Sequence, residues 1–477
     1  MEPIQTELVV LGAGPGGYTA AFYAADRGKQ TILVERADRL GGVCLNHGCI
    51  PSKALLHAAE TLFLAKEAAR WGLEFGAPKV RLEKLREWKE SILEKLGQGV
   101  AQLARRRKVT VLRGRGRFED SNTLRVETDQ GQQFIRFQKA IVAAGSVPAM
   151  PKAFDLDNPR VMTSTEALQL PEAPCKLLVI GAGYIGMELG AVYAALGSEV
   201  TVVEALPRAL AAADPDLARP VLQRARQIFK EIRTGTKVVE MAAQGPQIRA
   251  VTEKDGVKRE ELYDRALVAV GRKPRIEDLG LENTKVSLDE KGFIKVDERR
   301  RTADPNLYAI GDIVGGALLA HKASREARVA VEDICGEPAA AKDFILPAVV
   351  FTDPEIAWCG LTESEAREKQ IPVEVAKFPW AASGRALTLD RPDGMTKLII
   401  DPETERILGV GIVGRGAGEL ISEGVLAIEM GATARDLALS AHPHPTLSET
   451  LMECAELYYG YATHAVVRKR RKENRSR

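Results

Sequence analysis

The chain has 477 residues, of which 45% are hydrophobic and 28% charged, so we expect a globular protein of three or four domains. The formal net charge of +2 argues against bulk affinity for nucleic acid or acidic lipid, and no apolar run approaches the roughly 20 residues that span a bilayer. Six cysteines are too few for a disulfide scaffold, and we recognise no signal peptide before the first strand. These features predict a reducing, cytoplasmic compartment, where a persistent disulfide is usually catalytic.

A dinucleotide-binding fingerprint opens the chain. A predicted strand over residues 7–11 is followed by Gly12-Ala13-Gly14-Pro15-Gly16-Gly17, a helix over 18–27 and a strand over 31–34 that Glu35 closes. Gly12 permits a tight turn, Gly14 lets the backbone approach a pyrophosphate, and Gly17 allows close helix–strand packing. Glu35 can accept hydrogen bonds from an adenosine ribose, so we predict a dinucleotide site here.

Two cysteines follow, in the stretch Gly41-Gly42-Val43-Cys44-Leu45-Asn46-His47-Gly48-Cys49. On one continuous helix they would lie about 140° apart, and a slightly distorted first turn could bring them within bonding distance. A helix N-terminus also stabilises a thiolate, so we expect a redox-active disulfide between Cys44 and Cys49. A structural disulfide and two inert buried thiols are the alternatives. Lys53 shares a helical face with Cys49 and could stabilise a thiolate or a reduced cofactor; the alternative is a surface lysine.

The fingerprint returns after a region of mixed structure. Residues 58–108 have the periodicity of two amphipathic helices, and residues 109–126 and 133–142 that of antiparallel strands. A strand over 176–180 then leads into Gly181-Ala182-Gly183-Tyr184-Ile185-Gly186, and a strand over 199–203 is closed by Glu204. Gly181 and Glu204 each lie 169 residues after Gly12 and Glu35, which indicates a second, separate dinucleotide site. A carboxylate at Glu204 binds a ribose 2′-hydroxyl and repels a 2′-phosphate, so we predict NAD rather than NADP.

The last part of the chain has the pattern of an α+β domain. We predict strands over 348–351, 373–378, 395–400 and 407–413 and helices over 418–430 and 447–456. His444 lies before the last helix, and Glu449 within it can orient the imidazole and raise its basicity, as a thiol–disulfide enzyme needs of a base. A structural histidine at a helix start is the alternative. The basic tail, residues 468–477, is either a solvated, disordered tail or a docking or polyanion-binding segment.

Five motifs carry a family resemblance that covers residues 7–459. They are GGVCLNHGCIPSKALL (41–56), GAGYIGMELG (181–190), AIGD (309–312), FPWAASGRA (378–386) and HPHPTLSE (442–449). Together they resemble the dihydrolipoyl dehydrogenase family of the pyridine nucleotide-disulfide oxidoreductases. The resemblance implies an α/β fold with two Rossmann-like dinucleotide-binding domains, for FAD and NAD, and a C-terminal α+β dimerisation domain. It implies FAD binding over 1–147, NAD binding over 148–275, a central domain that completes the FAD site over 276–345, and an interface domain with the basic tail over 346–477.

The same resemblance implies a role for each matching residue. Cys44 would be the thiol that meets substrate, Cys49 would form the charge-transfer contact with the flavin, and Lys53 would pair with Glu188 beside the isoalloxazine ring. His444, held by Glu449, would be the base and would reach over from the partner subunit. The other implied cofactor-binding residues are Gly12, Gly14, Pro15, Gly17, Glu35, Gly42, Gly116, Ala144, Gly145, Ser146, Gly181, Gly183, Tyr184, Ile185, Gly186, Glu204, Val238, Gly271, Gly311, Asp312 and Ala320. Of these, Gly116, Asp312 and Ala320 would contact FAD, and Val238 and Gly271 would contact NAD; no metal site is implied.

The implied reaction is the oxidation of protein-bound dihydrolipoamide through the Cys44–Cys49 disulfide and FAD, with NAD⁺ as acceptor. A homodimer would serve the lipoyl-bearing acyltransferase of a 2-oxo acid dehydrogenase complex. A glutathione-type reductase is the alternative, favoured only by Tyr184 and opposed by Glu204. A mercuric reductase should carry a vicinal C-terminal cysteine pair, and only Cys454 is present. A scaffold subunit that docks on an acyltransferase core is an alternative of another class.

Overall fold

The computed structural model describes residues 2–339 and 344–466, which divide into two compact units. The first unit comprises residues 2–173 and 265–339, and the second comprises residues 174–264 and 344–466. The chain therefore leaves the first unit, returns to it and ends in the second. The basic tail of residues 468–477 lies outside the described residues, so its two alternatives remain open.

Residues 2–173 begin with a β–α–β unit and end in a short helix. The strands are β1 (Ile4–Leu11), β2 (Thr31–Glu35), β3 (Thr110–Arg113), β4 (Arg115–Phe118), β5 (Thr123–Thr128), β6 (Gly131–Val142), β7 (Ser146–Pro148) and β8 (Val161–Met162). The helices are α1 (Pro15–Asp26), α2 (Gly42–His47), α3 (Cys49–Glu67), α4 (Leu82–Arg106) and α5 (Ser164–Gln169). Strand β2 is buried along its whole length, as expected of a parallel strand covered on both faces.

Residues 174–264 contain the second β–α–β unit and a three-stranded meander. The strands are β9 (Lys176–Ile180), β10 (Glu199–Glu204), β11 (Glu231–Thr234), β12 (Lys237–Gln244), β13 (Gln247–Lys254) and β14 (Val257–Tyr263). The helices are α6 (Tyr184–Ala195) and α7 (Pro215–Ile228). Strands β9, β10 and β11 pair in parallel, with β10 in the middle. Asp255 and Gly256, both at positive φ, make the tight turn from β13 to β14, which is the usual hairpin dipeptide.

Residues 265–339 complete the first unit. They contain β15 (Arg265–Val268), β16 (Arg272–Pro274), β17 (Leu307–Ala309) and α8 (Ala320–Ile334). The main sheet of the unit runs β3-β2-β1-β6 in parallel; β5 and then β4 continue it as antiparallel strands, and β17 pairs in parallel with the end of β6. Small residues of α1 and α8, such as Ala24 and Ala327, share one hydrophobic core with the sheet. The carboxyl ends of β1, β2, β6 and β17 therefore meet at one edge, where open α/β sheets bind their ligands.

Residues 344–466 form an antiparallel sheet with helices packed against it. The strands are β18 (Ala348–Val350), β19 (Glu355–Gly360), β20 (Glu374–Pro379), β21 (Met395–Ile400) and β22 (Ile407–Gly414), in the order β18-β19-β22-β21-β20. The helices are α9 (Glu363–Glu368), α10 (Gly384–Thr388), α11 (Ala417–Glu429), α12 (Ala434–Leu439) and α13 (Glu449–Tyr459). The core contains the fully buried Trp380, whose indole N–H donates to Thr396 Oγ1 at 3.0 Å. Among the described helices, none combines the length and the apolar character that crossing a bilayer requires.

Most predicted elements are present, and three expectations need correction. Strand β1 begins at Ile4 rather than at residue 7. Its first two residues, Ile4 and Gln5, are solvent-exposed and do not continue the apolar pattern from which the strand was predicted. Strand β3, expected to be antiparallel, pairs in parallel with β2, and only β4 and β5 in that region are antiparallel. Strand β19 is missing from the prediction of the last domain, although it lies near the middle of that sheet.

Candidate active site

The glutamate at the end of β2 accepts hydrogen bonds from the backbone of the first fingerprint loop and of the segment after the strand. Glu35, at the end of β2, accepts the Ala13 backbone N–H at 2.8 Å through Oε2 and the Ala37 N–H at 2.9 Å through Oε1. Both carboxylate oxygens thus hold the backbone on either side of the predicted adenosine site. Each oxygen keeps a further lone pair, so the same carboxylate can still accept a ribose hydroxyl, as the sequence predicts.

The second fingerprint repeats this arrangement atom for atom. Glu204 accepts the Ala182 N–H at 2.7 Å and the Leu206 N–H at 2.8 Å, and each of the three residues lies 169 positions after its counterpart. Gly183, like Gly14, begins its helix with extended backbone and without a side-chain cap. The repeated hydrogen bonds give the predicted second site the same physical basis as the first.

The glycines of the first fingerprint fit a bound pyrophosphate. A Cβ on Gly17 would lie 1.7 Å from the Gly12 carbonyl oxygen, and a Cβ on Gly42 would lie 2.5 Å from Gly14 Cα. The start of α2 thus touches the start of α1, whose first N–H groups have no side-chain cap. Such N–H groups and the helix dipole attract an anion, so the donor set suits the diphosphate of FAD.

The sheet edge also carries the predicted aspartate. Asp312 Oδ2 accepts the Ser146 hydroxyl at 2.5 Å, and Arg272 in turn donates from Nε to Ser146 Oγ and from Nη2 to Ser146 O, each at 2.8 Å. Gly311 precedes the aspartate at φ +79°, and its N–H donates to the buried Glu326 at 2.7 Å. These contacts fix a carboxylate beside the end of β6, where it can bind hydroxyl groups of a polyol.

Five further predicted cofactor residues differ in their surroundings and in their place in the fold. Gly116 is required by packing, because a Cβ there would lie 2.6 Å from Leu11 Cδ1. Gly145 and Gly271 have positive φ, and beyond its chain neighbours a Cβ on either would meet no atom of the described residues within 4 Å. Ala320 is the first residue of α8, and Val238 lies in β12. Their cofactor contacts stay predictions.

Two further predicted residues belong to the second unit. Tyr184, the first residue of α6, is 44% exposed. Glu188, on the same helix, is buried, and its Oε1 accepts the Phe351 N–H at 2.9 Å. The proposed pairing of Glu188 with Lys53 joins residues of different units and stays a prediction.

The cysteines lie on two helices rather than on one. Cys44 is in the middle of α2, and Cys49 is the first residue of α3. The break is at Gly48, with φ −147° and ψ −109°, where a Cβ would approach the Val43 carbonyl oxygen to 3.1 Å. The expected distorted first turn of a single helix is therefore wrong, since it is a change of helix axis that brings the two sulfurs together.

The two sulfurs differ in their environment. Both cysteines carry thiols in this structure, Cys44 half-buried and Cys49 exposed. The hydrogen bond to Cys49 raises the pKa of the Cys44 thiol, burial raises it further, and the charge of Lys53 opposes the shift. Cys44 therefore keeps its proton, while Cys49 is the residue that stands at the start of α3. The predicted role of Lys53 beside the thiols and the cofactor stays a prediction.

His444 and Glu449 are in contact. Glu449, the first residue of α13, lies with Oε1 2.8 Å from His444 Nδ1 and accepts the Thr446 N–H through Oε2 at 2.7 Å. Burial raises the pKa of Glu449, but the hydrogen bonds from Thr446 and His444 outweigh it and hold the pKa below its usual value. An ionised carboxylate only accepts hydrogen bonds, so Nδ1 carries the proton and Nε2 is left to accept one. The histidine ring is 73% exposed.

Sequence reasoning missed two groups around these residues. Arg272 orients Ser146, and its sequence signal, the Arg-Lys-Pro that ends a strand, indicates only a turn. His442 contacts Glu423 at 2.8 Å, and this pair is separated by a helix and a loop, so no local pattern reveals it.

Comparisons with known proteins agree with this geometry. Residues 6–327 match the family model described as pyridine nucleotide-disulphide oxidoreductase, and residues 346–455 match the dimerisation domain of that family. Proteins named dihydrolipoyl dehydrogenase from Vibrio cholerae and Thermus scotoductus are 46% and 47% identical over 96% and 97% of this chain, and over 97% and 99% of their own lengths.

Solved structures give the same result for the fold. The flavoprotein disulfide reductase RclA from Escherichia coli, described as induced by HOCl, is 27% identical, with a TM-score of 0.85 over 94% of this chain and 99% of that chain. LpdA from Mycobacterium tuberculosis is 25% identical, with a TM-score of 0.88 over 95% of this chain and 99% of that chain.

The matches bear on the predictions made from the five motifs. They confirm the α/β fold class with a dimerisation domain, and they confirm the family resemblance. The roles that the motifs predict for the thiol pair and for the histidine–glutamate pair stay predictions. The chain belongs to the pyridine nucleotide-disulphide oxidoreductase family.

Proposed function

We propose that the chain is a dihydrolipoyl dehydrogenase, which oxidises protein-bound dihydrolipoamide to lipoamide and reduces NAD⁺. The observation that carries the proposal is the contact of Cys44 with Cys49 at a helix break directly after a fingerprint loop. A thiol pair of this kind can exchange with substrate sulfur and pass electrons to a bound dinucleotide. Relatives with this name, at 41–47% identity over nearly the whole chain, support it.

The cofactors are FAD at the first fingerprint and NAD at the second. Gly12, Gly14, Gly17 and Gly42 would hold the FAD diphosphate, and Asp312 its polyol. Glu204 would hold the ribose of NAD. When bound, FAD supplies the two-electron acceptor that links the dithiol to NAD⁺.

The chain's own residues handle the sulfur chemistry and its protons. His444 Nε2 takes the proton of one substrate thiol, and Glu449 stabilises the resulting imidazolium through Nδ1–H. The substrate thiolate attacks Cys44 Sγ of the oxidised enzyme, which breaks the Cys44–Cys49 bond and leaves Cys49 as a thiolate. The second substrate thiol then closes the substrate disulfide and displaces Cys44, so the enzyme gains two electrons as a dithiol.

Substitution of Cys44 tests the reaction. Cys44→Ser should abolish oxidation of dihydrolipoamide by NAD⁺ and leave the purified protein yellow, because the flavin site does not need that sulfur. Cys175→Ser, at an exposed lone cysteine, is the matched control and should keep full activity. Wild-type rates in Cys44→Ser would refute the proposal, and so would a preference of the wild type for glutathione disulfide with NADPH.

We propose two assemblies, a homodimer of this chain and a complex of that dimer with an acyltransferase. The match to a dimerisation domain supports a homodimer. The lipoyl-bearing acyltransferase of a 2-oxo acid dehydrogenase complex would supply the substrate, and a cytoplasmic location follows for a bacterial-type complex. Gel filtration of the purified chain with such an acyltransferase should give a complex larger than either component; separate elution at micromolar concentrations would argue against a stable partnership.

A further inference from the structure

A second histidine lies two residues before His444 and is anchored quite differently. His442 belongs to the loop between α12 and α13, and its side chain is only 7% exposed, against 73% for His444. Its Nδ1 lies 2.8 Å from the Ser440 carbonyl oxygen, and its Nε2 lies 2.8 Å from Glu423 Oε1 on α11. The ring is thus held at both nitrogens, whereas His444 is held by Glu449 at Nδ1.

The chemistry of the two partners decides how His442 is bound. A carbonyl oxygen and an ionised carboxylate are both acceptors without a hydrogen. With an ionised Glu423 as the acceptor, Nε2–H donates to it in a charge-assisted hydrogen bond, while Nδ1 faces the Ser440 carbonyl oxygen. Such bonds are about twice as strong as neutral ones, and here the imidazole is buried while the Glu423 side chain is 33% exposed.

These contacts fix the loop from two sides. Glu423 connects position 442 to α11, and Ser440 ends α12, where its hydroxyl donates to the Asp436 carbonyl oxygen at 2.7 Å. Glu449 connects position 444 to α13. The backbone that presents His444 is therefore tied to three helices within five residues. Without the contact between His442 and Glu423, the loop would have to be ordered on each substrate encounter. A displacement of about 1 Å at a reacting group can cost on the order of 100-fold in rate.

We propose that His442 and Glu423 are positioning residues, whose hydrogen bond holds the loop so that His444 Nε2 stands where the substrate thiol arrives. This inference rests on the proposed function, in which His444 is the base. Both residues act through the backbone between positions 440 and 444.

The test compares two reactions of the FAD-loaded dimer. Glu423→Ala should lower kcat for dihydrolipoamide and NAD⁺ by about tenfold or more, with the KM for NAD⁺ unchanged, because the base is displaced rather than removed. Electron transfer from NADH to ferricyanide, which needs no proton acceptor at substrate, should stay within about twofold of wild type. Glu423→Gln keeps an acceptor oxygen for His442 Nε2–H and should recover most of the lost kcat.

Glu419 provides the control. It is an exposed carboxylate on the same helix, α11, one turn before Glu423, and Glu419→Ala should change neither reaction. A Glu423→Ala variant with wild-type kcat for dihydrolipoamide, or one that loses both reactions equally, would overturn the inference. Absence of dihydrolipoamide oxidation in the wild type itself would instead overturn the proposed function, so the two failures can be told apart.

Discussion

At the scale of single residues, the two strand-end glutamates each serve two purposes. Glu35 and Glu204 accept backbone N–H groups within their own loops and present the same carboxylate to the predicted ribose site. A carboxylate in this position is fixed before any ligand arrives, which lowers the entropy cost of binding. The charge also explains why the second site should favour a ribose hydroxyl over a phosphate.

Substitution of Glu204 should therefore affect binding of NAD far more than chemistry. Glu204→Ala removes the charge-assisted hydrogen bond to the ribose, of about 1.5–3 kcal/mol, and also the two that hold the Ala182 and Leu206 N–H groups, so we expect the KM for NAD⁺ to rise by roughly 10- to 100-fold or more. Discrimination against NADP⁺ should weaken, because the repulsion of the 2′-phosphate is lost. Steady-state kinetics with both nucleotides measure the effect. Glu199→Ala, at the exposed start of the same strand, is the control; an unchanged ratio of kcat/KM values in Glu204→Ala would contradict the assignment.

At the scale of elements, a buried lysine joins three parts of the second unit. Lys397 on β21 is 1% exposed, and its Nζ lies 2.6 Å from Asp214, 2.8 Å from Asp216 and 3.4 Å from Glu363. The two aspartates stand at the start of α7, and Glu363 begins α9. The grouping of three carboxylates has the geometry of a cation site, and Lys397 supplies the cation. Asp214 also caps α9 by accepting two of its first backbone N–H groups at 3.0 Å.

Removal of the Lys397 charge should strongly destabilise this unit. Lys397→Met leaves three acidic side chains facing one another, and the loss of one partner from a buried ion network costs about 3–5 kcal/mol. We expect a clear fall in the midpoint of urea unfolding. Lys377→Met, which contacts Asp216 and Glu363 from the more exposed edge, is the matched control and should cost less. Equal midpoints for the wild type and Lys397→Met would show that the network is energetically neutral.

The same network predicts a pH dependence of stability. Burial raises the pKa of Asp214, but hydrogen bonds from Lys397 and Ser364 outweigh it and lower the pKa to about 2, against an ordinary 3.8. Since the folded pKa is the lower one, the stabilisation is fully present above about pH 4 and is lost as the pH falls towards 2. Asp214→Asn should therefore lower the thermal midpoint at pH 7, and its difference from wild type should shrink below pH 4. A difference that grows with acidity would contradict this.

These elements also show what the sequence could and could not predict. The fingerprint turns were predictable because Gly12, Gly17 and the strand-end acids act on neighbours within one β–α–β unit. The change of helix axis at Gly48 was not, because the spacing of Cys44 and Cys49 is compatible with one helix or two. Lys397 and the pair of His442 with Glu423 depend on contacts between distant segments, and a lysine or histidine that will be buried carries no local signal.

At the scale of the whole molecule, the proposed site needs two chains. The family resemblance implies that His444 reaches the thiols of the partner subunit, and the match to a dimerisation domain supports the dimer that this requires. A homodimer with twofold symmetry would then contain two equivalent sites, each with cysteines from one chain and a histidine from the other.

Mixed dimers test this arrangement directly. A subunit with Cys44→Ser, combined with a subunit with His444→Gln, should form one intact site per mixed dimer, because one chain supplies the cysteine and the other the histidine. Random pairing of equal amounts should restore roughly a quarter of wild-type activity, although each variant alone is nearly inactive. Coexpression and assay of dihydrolipoamide oxidation measure the recovery. No recovery in isolated mixed dimers would place each complete site within one chain.

Because α2 and α3 meet at Gly48, the distance between the two sulfurs depends on the backbone angles at Gly48 and not on the pitch of one helix. Each cysteine belongs to its own helix, so a small rotation about the Gly48 backbone can lengthen or shorten the distance between the two sulfurs while both helices stay intact. The loop can thus accommodate a covalent bond in one redox state and a hydrogen bond in the other without unwinding α3. An alanine at position 48, pressed against the Val43 carbonyl oxygen, would stiffen the backbone there and make interconversion of the two states the slow step of turnover.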